Sequence, residues 1–154
     1  MTHEEAVKPL DSAIWEMSEA FADLRDEDVW VRAHPHLLSV GELASHVACG
    51  EIHSILGELA SPLFLPQFRY YPYTVAEPVV LSIGAAELYA EVKRIHEVCK
   101  ADFLRVMPDL DSNSPHRPDW TWDYTMEYMA FHIAYHTGQM YSVRHLMGHQ
   151  TADN

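Results

Sequence analysis

Residues 123–147 read DYTMEYMAFHIAYHTGQMYSVRHLM and carry apolar side chains at steps of three, four and seven residues. Such steps return to one side of an α-helix, which completes a turn every 3.6 residues. The apolar positions are Met129, Ile133, Met140, Val143 and Met147. Gly148 follows the last of them and suits a helix C-cap. The stretch therefore predicts an amphipathic helix that begins near Asp123 or Thr125 and ends at Met147.

Three other stretches show the same spacing, residues 4–24, 39–62 and 82–107. The second begins with a capping box, because Ser39 is followed three residues later by Glu42. Pro62 and Pro108 end the second and third stretches. Four helices with one apolar stripe each are most simply buried as a four-helix bundle. Since strand signals are weak, we expect an all-α fold and a single domain over residues 1–154.

A connection from Ser61 to Leu81 joins the second and third predicted helices and is much longer than the usual ~4–6 residues. A long crossover is expected where two consecutive helices run parallel. The connection is rich in aromatic residues, namely Phe64, Phe68, Tyr70, Tyr71 and Tyr73. These rings either pack over the bundle or at a dimer contact, or they line a substrate pocket.

Composition narrows the classes of function. The chain has 23 Asp and Glu against 10 Lys and Arg, a formal net charge of −13, which opposes binding to nucleic-acid phosphates. No apolar stretch approaches the ~18 residues that span a membrane, and the acidic N-terminus does not resemble a signal peptide. With two cysteines only, no disulfide framework is needed, and we expect a cytoplasmic protein.

The chain holds 11 histidines, of which His132 and His136 lie four residues apart in the last predicted helix. Chance alone gives about one such pair in a chain this rich in histidine, so position matters more than spacing. His136 falls on the apolar series, His132 lies at its margin, and His46 lies close to the apolar face of the second helix. Burying imidazoles without partners costs about 1–3 kcal/mol each. Hydrogen bonds within the core or one divalent metal ion bound by all three rings would remove that cost.

Other residues near these histidines allow further roles. His53 lies seven residues after His46 and could be an additional ligand, whereas His96 is expected to form local hydrogen bonds. Cys49 could lie beside a metal or serve as a small buried apolar residue. Glu51 and Glu127 could each orient a ligand histidine or remain ordinary surface carboxylates; the sequence does not choose between them.

Two strings of sequence resemble the DinB/YfiT-like family. They are Ser39-Val-Gly-Glu-Leu-Ala-Ser-His46 and His132-Ile-Ala-Tyr-His136-Thr-Gly-Gln139. The resemblance implies a four-helix bundle with a long crossover between helices 2 and 3. It also implies a metal site made by one histidine of the second helix and two of the fourth, here His46, His132 and His136. Zinc or nickel is the expected ion, and a homodimer is the expected assembly.

The resemblance further implies an enzyme that uses a low-molecular-weight thiol. In this hypothesis the metal activates the thiol for transfer to a small electrophile, and no protein nucleophile is required. No residue is identified as a general acid or base. Two alternatives remain, a hydrolase that uses metal-bound water and a non-catalytic, metal-binding bundle of the stress response.

Overall fold

The computed structural model describes residues 1–69 and 77–152. In these residues the elements follow in the order α1 (His3–Phe21), α2 (Val40–Glu51), α3 (Pro66–Arg69), α4 (Ala85–Val106), β1 (Asn113–Ser114), β2 (Arg117–Thr121) and α5 (Trp122–Leu146). A 3₁₀ turn covers Asp26–Asp28, and a π-helical turn covers Ile52–Leu56. The mostly helical architecture agrees with the sequence prediction.

The four long helices bury their apolar stripes against one another. Helix α1 packs against α4 and α5, and α2 packs against the same two helices. Their shared core includes side chains of all four, among them Leu10, Met17, Val47, Leu88, Ile95, Met129 and Ile133. No helix in the described part of the chain is long and apolar enough to cross a membrane.

A small antiparallel sheet adds an element that the sequence pattern did not predict. Asn113 pairs with Thr121 and Ser114 pairs with Arg117, with an irregularity between the two pairs. The sequence hides these strands because one has two residues and the other does not alternate between buried and exposed positions. Strand β2 leads directly into α5, whose first turn is capped by the Thr121 hydroxyl, which accepts a hydrogen bond from the Tyr124 amide.

The start of α2 is held by the predicted capping box. The Ser39 hydroxyl accepts from the Glu42 amide, and the fully buried Glu42 carboxylate accepts from the Ser39 amide. The same carboxylate also accepts from the Arg32 guanidinium and from the Val79 amide. Burial alone would raise the pKa of Glu42, but these donors, Arg32 foremost, hold it below its usual value. One carboxylate therefore joins three separate stretches of chain.

The end of α2 differs from the prediction, which placed it at Pro62. The α-helix stops at Glu51, and the π-helical turn that follows ends at Gly57. Gly57 has a φ of +83°, a left-handed conformation that a glycine adopts without steric cost. The apolar side chains beyond it belong to the crossover and not to the helix.

The crossover contains the short helix α3. Phe68 is fully buried, and Phe64 is half-buried and packs against the hydrophobic core. Phe64 therefore agrees with the interpretation in which the crossover rings pack over the bundle. Tyr70, Tyr71 and Tyr73 lie outside the described residues.

Candidate metal centre

The structure brings His46 of α2 together with His132 and His136 of α5. The Nε2 atom of His132 lies 3.1 Å from the Nε2 atoms of both other rings. All three rings can offer nitrogens that lie within 4.8 Å of one another, an arrangement that could hold a metal ion. Each ring is only partly exposed to solvent.

Two of the rings are oriented by hydrogen-bond acceptors on their outer side. The Nδ1 atom of His46 lies 2.6 Å from the Phe68 carbonyl oxygen, and that of His136 lies 2.7 Å from Oε1 of Gln139. Because these oxygens only accept, each Nδ1 carries the hydrogen. The Nε2 atoms of both rings therefore keep their lone pairs and point them toward His132. An acceptor of this kind behind a histidine is typical of metal ligands.

Without a cation, the Nε2 atom of the third ring cannot satisfy both of its neighbours. A neutral imidazole carries one N–H group, and two lone pairs face the Nε2 atom of His132. If that atom is protonated, it serves one neighbour and leaves the other lone pair opposed. If Nδ1 is protonated instead, its hydrogen donates no hydrogen bond, because His132 Nδ1 is buried with no partner among the described residues. In both states the buried Nδ1 atom of His132 stays without a described partner, at about 1–3 kcal/mol. A cation bound at Nε2 would remove the opposition of lone pairs there and would leave Nδ1 as it is.

A divalent ion fits this donor set. Imidazole nitrogens bind zinc at about 2.0–2.1 Å, which places tetrahedral ligands roughly 3.4 Å apart. The separations of 3.1 Å at His132 are close to that spacing. Ligation would use the three lone pairs that otherwise oppose one another.

Burial keeps the three rings in the neutral form that binds metals. It lowers the pKa of His132 to about 3 and that of His136 to about 4, and it also lowers the pKa of His46. The charges that the neighbouring histidines would carry add to the effect at His132 and His136. At neutral pH the site is therefore a set of uncharged nitrogen donors.

Gly50 allows α2 and α5, which carry the three histidines, to approach each other beside His132. A Cβ atom at this position would lie 3.3 Å from Cε1 and 3.6 Å from Nδ1 of His132. A side chain at this position would therefore require the His132 ring to shift by a few tenths of an ångström. The absence of a side chain at Gly50 helps to set the distance between His46 and His132.

A cavity of about 350 Å³ opens beside the three histidines. Its wall also includes His53, Tyr128 and two cationic side chains, Arg69 and Arg117. Helix α3 supplies Arg69 and strand β2 supplies Arg117. No Asp or Glu belongs to this wall in the described part of the chain. The candidate centre is therefore next to a space large enough for a small molecule.

The other predicted candidates lie outside the three-histidine group. His53 lines the cavity, but its Nε2 atom lies 2.7 Å from Nη2 of Arg69, which donates to it. The Cys49 thiol is buried and faces the Leu65 carbonyl at 3.6 Å, and burial raises its pKa. Both findings favour the alternatives in which these residues are not ligands.

His96 forms hydrogen bonds, as expected, but its partners lie on α2 and α1 and are not local in the sequence. Its Nδ1 atom lies 2.8 Å from a Glu51 oxygen and its Nε2 atom 2.9 Å from an Asp11 oxygen. Glu51 therefore contacts His96 and does not orient a metal ligand. Glu127 is exposed on α5.

Sequence reasoning missed three features of the site, the Phe68 carbonyl, Arg69 and Arg117. A backbone carbonyl has no sequence signature, and the two arginines are distant in the chain from the histidines. Gln139 was part of the string that carried the resemblance, but only the structure gives it a role.

No protein-family model matches the chain, and no curated protein matches it. A crystal structure of a conserved protein from Enterococcus faecalis is similar, with a TM-score of 0.60 and 16% sequence identity. The alignment covers 97% of this chain and 99% of that one. At this level of identity the likeness shows a shared fold and nothing about activity.

Proposed function

We propose that this chain is a metal-dependent protein of the DinB/YfiT-like type that transfers a low-molecular-weight thiol to a small electrophile. The observation that carries the proposal is the convergence of three neutral imidazole groups beside a cavity of about 350 Å³. Three protein ligands leave a coordination position for a further group, as in catalytic zinc sites. A site built only to stabilise the fold would have no need of such a space.

The ion would be held by His46, His132 and His136. Zinc or nickel is the proposed ion, because imidazole ligands suit both. When bound, such an ion supplies a Lewis acid that lowers the pKa of a coordinated thiol. The residues of the chain orient the site, since the Phe68 carbonyl and Gln139 fix the tautomers of two ligands.

Of the two alternatives, hydrolysis receives less support from the cavity. A hydrolase of this kind needs a base near the attacking water. The described wall holds no carboxylate, and the Nε2 lone pair of His53 already accepts a hydrogen bond from Arg69. A purely non-catalytic bundle would not require a cavity at the candidate centre.

We also propose that α1, α2, α4 and α5 form the four-helix bundle that the sequence predicts. Each of these helices packs against two of the other three, which closes a ring of neighbours. The homodimer stays a prediction that sedimentation equilibrium can test. A mass of one chain, 17.6 kDa, at micromolar concentrations would contradict it.

The metal site is tested by elemental analysis of the purified protein. We expect about one zinc or nickel ion per chain, and we expect the content of His136→Ala to fall to a small fraction of that. The matched control is His145→Ala, which removes an exposed histidine of the same helix. Equal metal content in His136→Ala and wild type would refute the site.

The reaction is tested separately with metal-loaded protein, a cellular thiol and a model electrophile. We expect conjugation, measured as loss of free thiol, to require both the ion and His136. Absence of turnover with every common cellular thiol at full metal occupancy would contradict thiol transfer and leave the metal site intact.

A further inference from the structure

Two arginines stand in the wall of the cavity that the three histidines share, on a chain with a net charge of −13. Arg117 is half-buried on β2, and its Nε atom donates to the Ser54 hydroxyl at 3.1 Å. Its guanidinium carbon lies 4.9 Å from the centre of the Trp120 ring. These contacts hold the guanidinium group in place without neutralising it.

Arg117 differs in this respect from half of the ten Lys and Arg residues of the chain. Five other cationic side chains form ion pairs with Asp or Glu, namely Arg25, Arg32, Arg94, Lys100 and Arg105. Within residues 1–69 and 77–152, Arg117 has no such pair. Although the chain is acidic, the Arg117 guanidinium beside the candidate centre is held in place and has no ion pair with a described carboxylate.

Arg69 adds a second positive charge to the same wall. It donates to His53, a residue that burial and the two arginines keep in its neutral form by lowering its pKa. The charge of Arg117 also acts on His132, where it contributes to the lowered pKa. With no described carboxylate in the wall, the cavity attracts negative charge.

We propose that the cavity binds an anionic reactant, a small molecule whose carboxylate or similar oxyanion is held by Arg117, with Arg69 adding to the attraction. This inference rests on the proposed function and names the class of reactant that the site selects. The Nε atom of Arg117 faces Ser54, and the planar guanidinium group matches the two oxygens of a carboxylate. The anion belongs either to the thiol or to the second reactant, and the experiment separates these two sources.

The experiment uses protein loaded with Co²⁺, with metal content measured first. Two thiols are titrated, 3-mercaptopropionate and its neutral amide, and sulfur coordination is followed by the charge-transfer absorption of the cobalt thiolate. We expect wild type to prefer the carboxylate about tenfold or more, the gain typical of a charge-assisted hydrogen bond. Arg117→Gln should lose most of this preference and bind the amide as wild type does. Arg105→Gln, which changes an exposed arginine of α4, should behave as wild type.

A second pair of probes, succinate and succinamide, contains no thiol and is followed by ligand-observed NMR. Preference for succinate that requires Arg117, without preference among the thiols, assigns the anion to the second reactant. No preference in either pair, or a preference that survives in Arg117→Gln, overturns the inference. Failure of the proposed function gives a different result. In that case the protein does not retain Co²⁺, or neither thiol produces the thiolate absorption. The succinate pair still tests the role of Arg117 in either case.

Discussion

Replacing Glu51 by Gln should change the stability of the protein in a way that depends on pH. Glu51 is fully buried, and one of its oxygens lies 2.8 Å from Nδ1 of His96, which is also buried. The other ring nitrogen of His96 lies 2.9 Å from an oxygen of Asp11. Both ring nitrogens thus face carboxylates, and only a protonated imidazole can donate to both.

The pKa of His96 gives the direction of the effect. Burial alone would lower this pKa, but the hydrogen bonds and charges of Glu51 and Asp11 outweigh burial and raise it above 6.5. A raised folded-state pKa means that the stabilisation is complete below pH 6.5 and is lost as the pH rises through the folded-state value. A hydrogen bond to a charged group contributes about 1.5–3 kcal/mol. We therefore expect Glu51→Gln to reduce the free energy of unfolding by about that amount near pH 6.

Urea denaturation of metal-free protein, followed by circular dichroism from about pH 6 to about pH 9, measures this difference. The gap between wild type and Glu51→Gln should shrink at the alkaline end, because the wild type loses its proton from His96 there. Glu127→Gln is the matched control, since Glu127 is exposed on a helix. It should follow the wild type at every pH.

Two results would refute this reasoning. One is a gap of the same size across the whole pH range, which would assign the effect to packing at position 51 and not to the proton on His96. The other is a wild-type stability that does not fall above pH 6.5.

Three further predictions concern the metal site and the core. Gln139→Ala should weaken metal affinity about 10–100-fold, because it removes the hydrogen-bond acceptor of His136. Competition with a chromophoric chelator measures the affinity. Gln139→Glu keeps an acceptor, so equal loss of affinity in both variants would contradict this role of Gln139. Acid titration should release the metal only below about pH 5, because burial lowers the pKa of His136 to about 4 and that of His132 to about 3. Release near pH 6.5 would contradict this prediction and would indicate rings with ordinary pKa values. Arg144→Met should lower the free energy of unfolding by about 1–3 kcal/mol, because Arg144 donates hydrogen bonds from the core to two carbonyl groups at the end of α1. Urea denaturation measures this change. An unchanged urea midpoint would show that these carbonyl groups find other donors.

The sequence predicted those parts of the fold that rest on local patterns. Apolar steps located the long helices, and the Ser39–Glu42 pair located the start of α2, because both signals lie within a few residues of chain. The end of α2 was misplaced by several residues, since the apolar pattern continues past Gly57 while the backbone does not. The small sheet was missed because its pairing depends on a turn and not on alternation.

The candidate site shows the same difference between features that local sequence patterns predict and features that depend on tertiary packing. The residue type and the helical positions of His132 and His136 mark them as a pair, and a third histidine at the apolar face of another helix completes the set. What orients and surrounds them comes from elsewhere in the chain. The carbonyl of Phe68 and the guanidinium of Arg117 reach the site only through tertiary packing, which no local pattern encodes.

The short helix α3 has a thermodynamic consequence. Its Phe68 carbonyl fixes the ring of His46, and its next residue, Arg69, lines the cavity. If the three histidines hold an ion and the cavity binds a small molecule, as proposed, a molecule that displaces this helix would change the affinity for the ion. By linkage, the ion would change the affinity for that molecule by the same factor. Occupancy of the cavity and retention of the metal would then be coupled, so a reaction product that disturbs α3 would also change how firmly the ion is held.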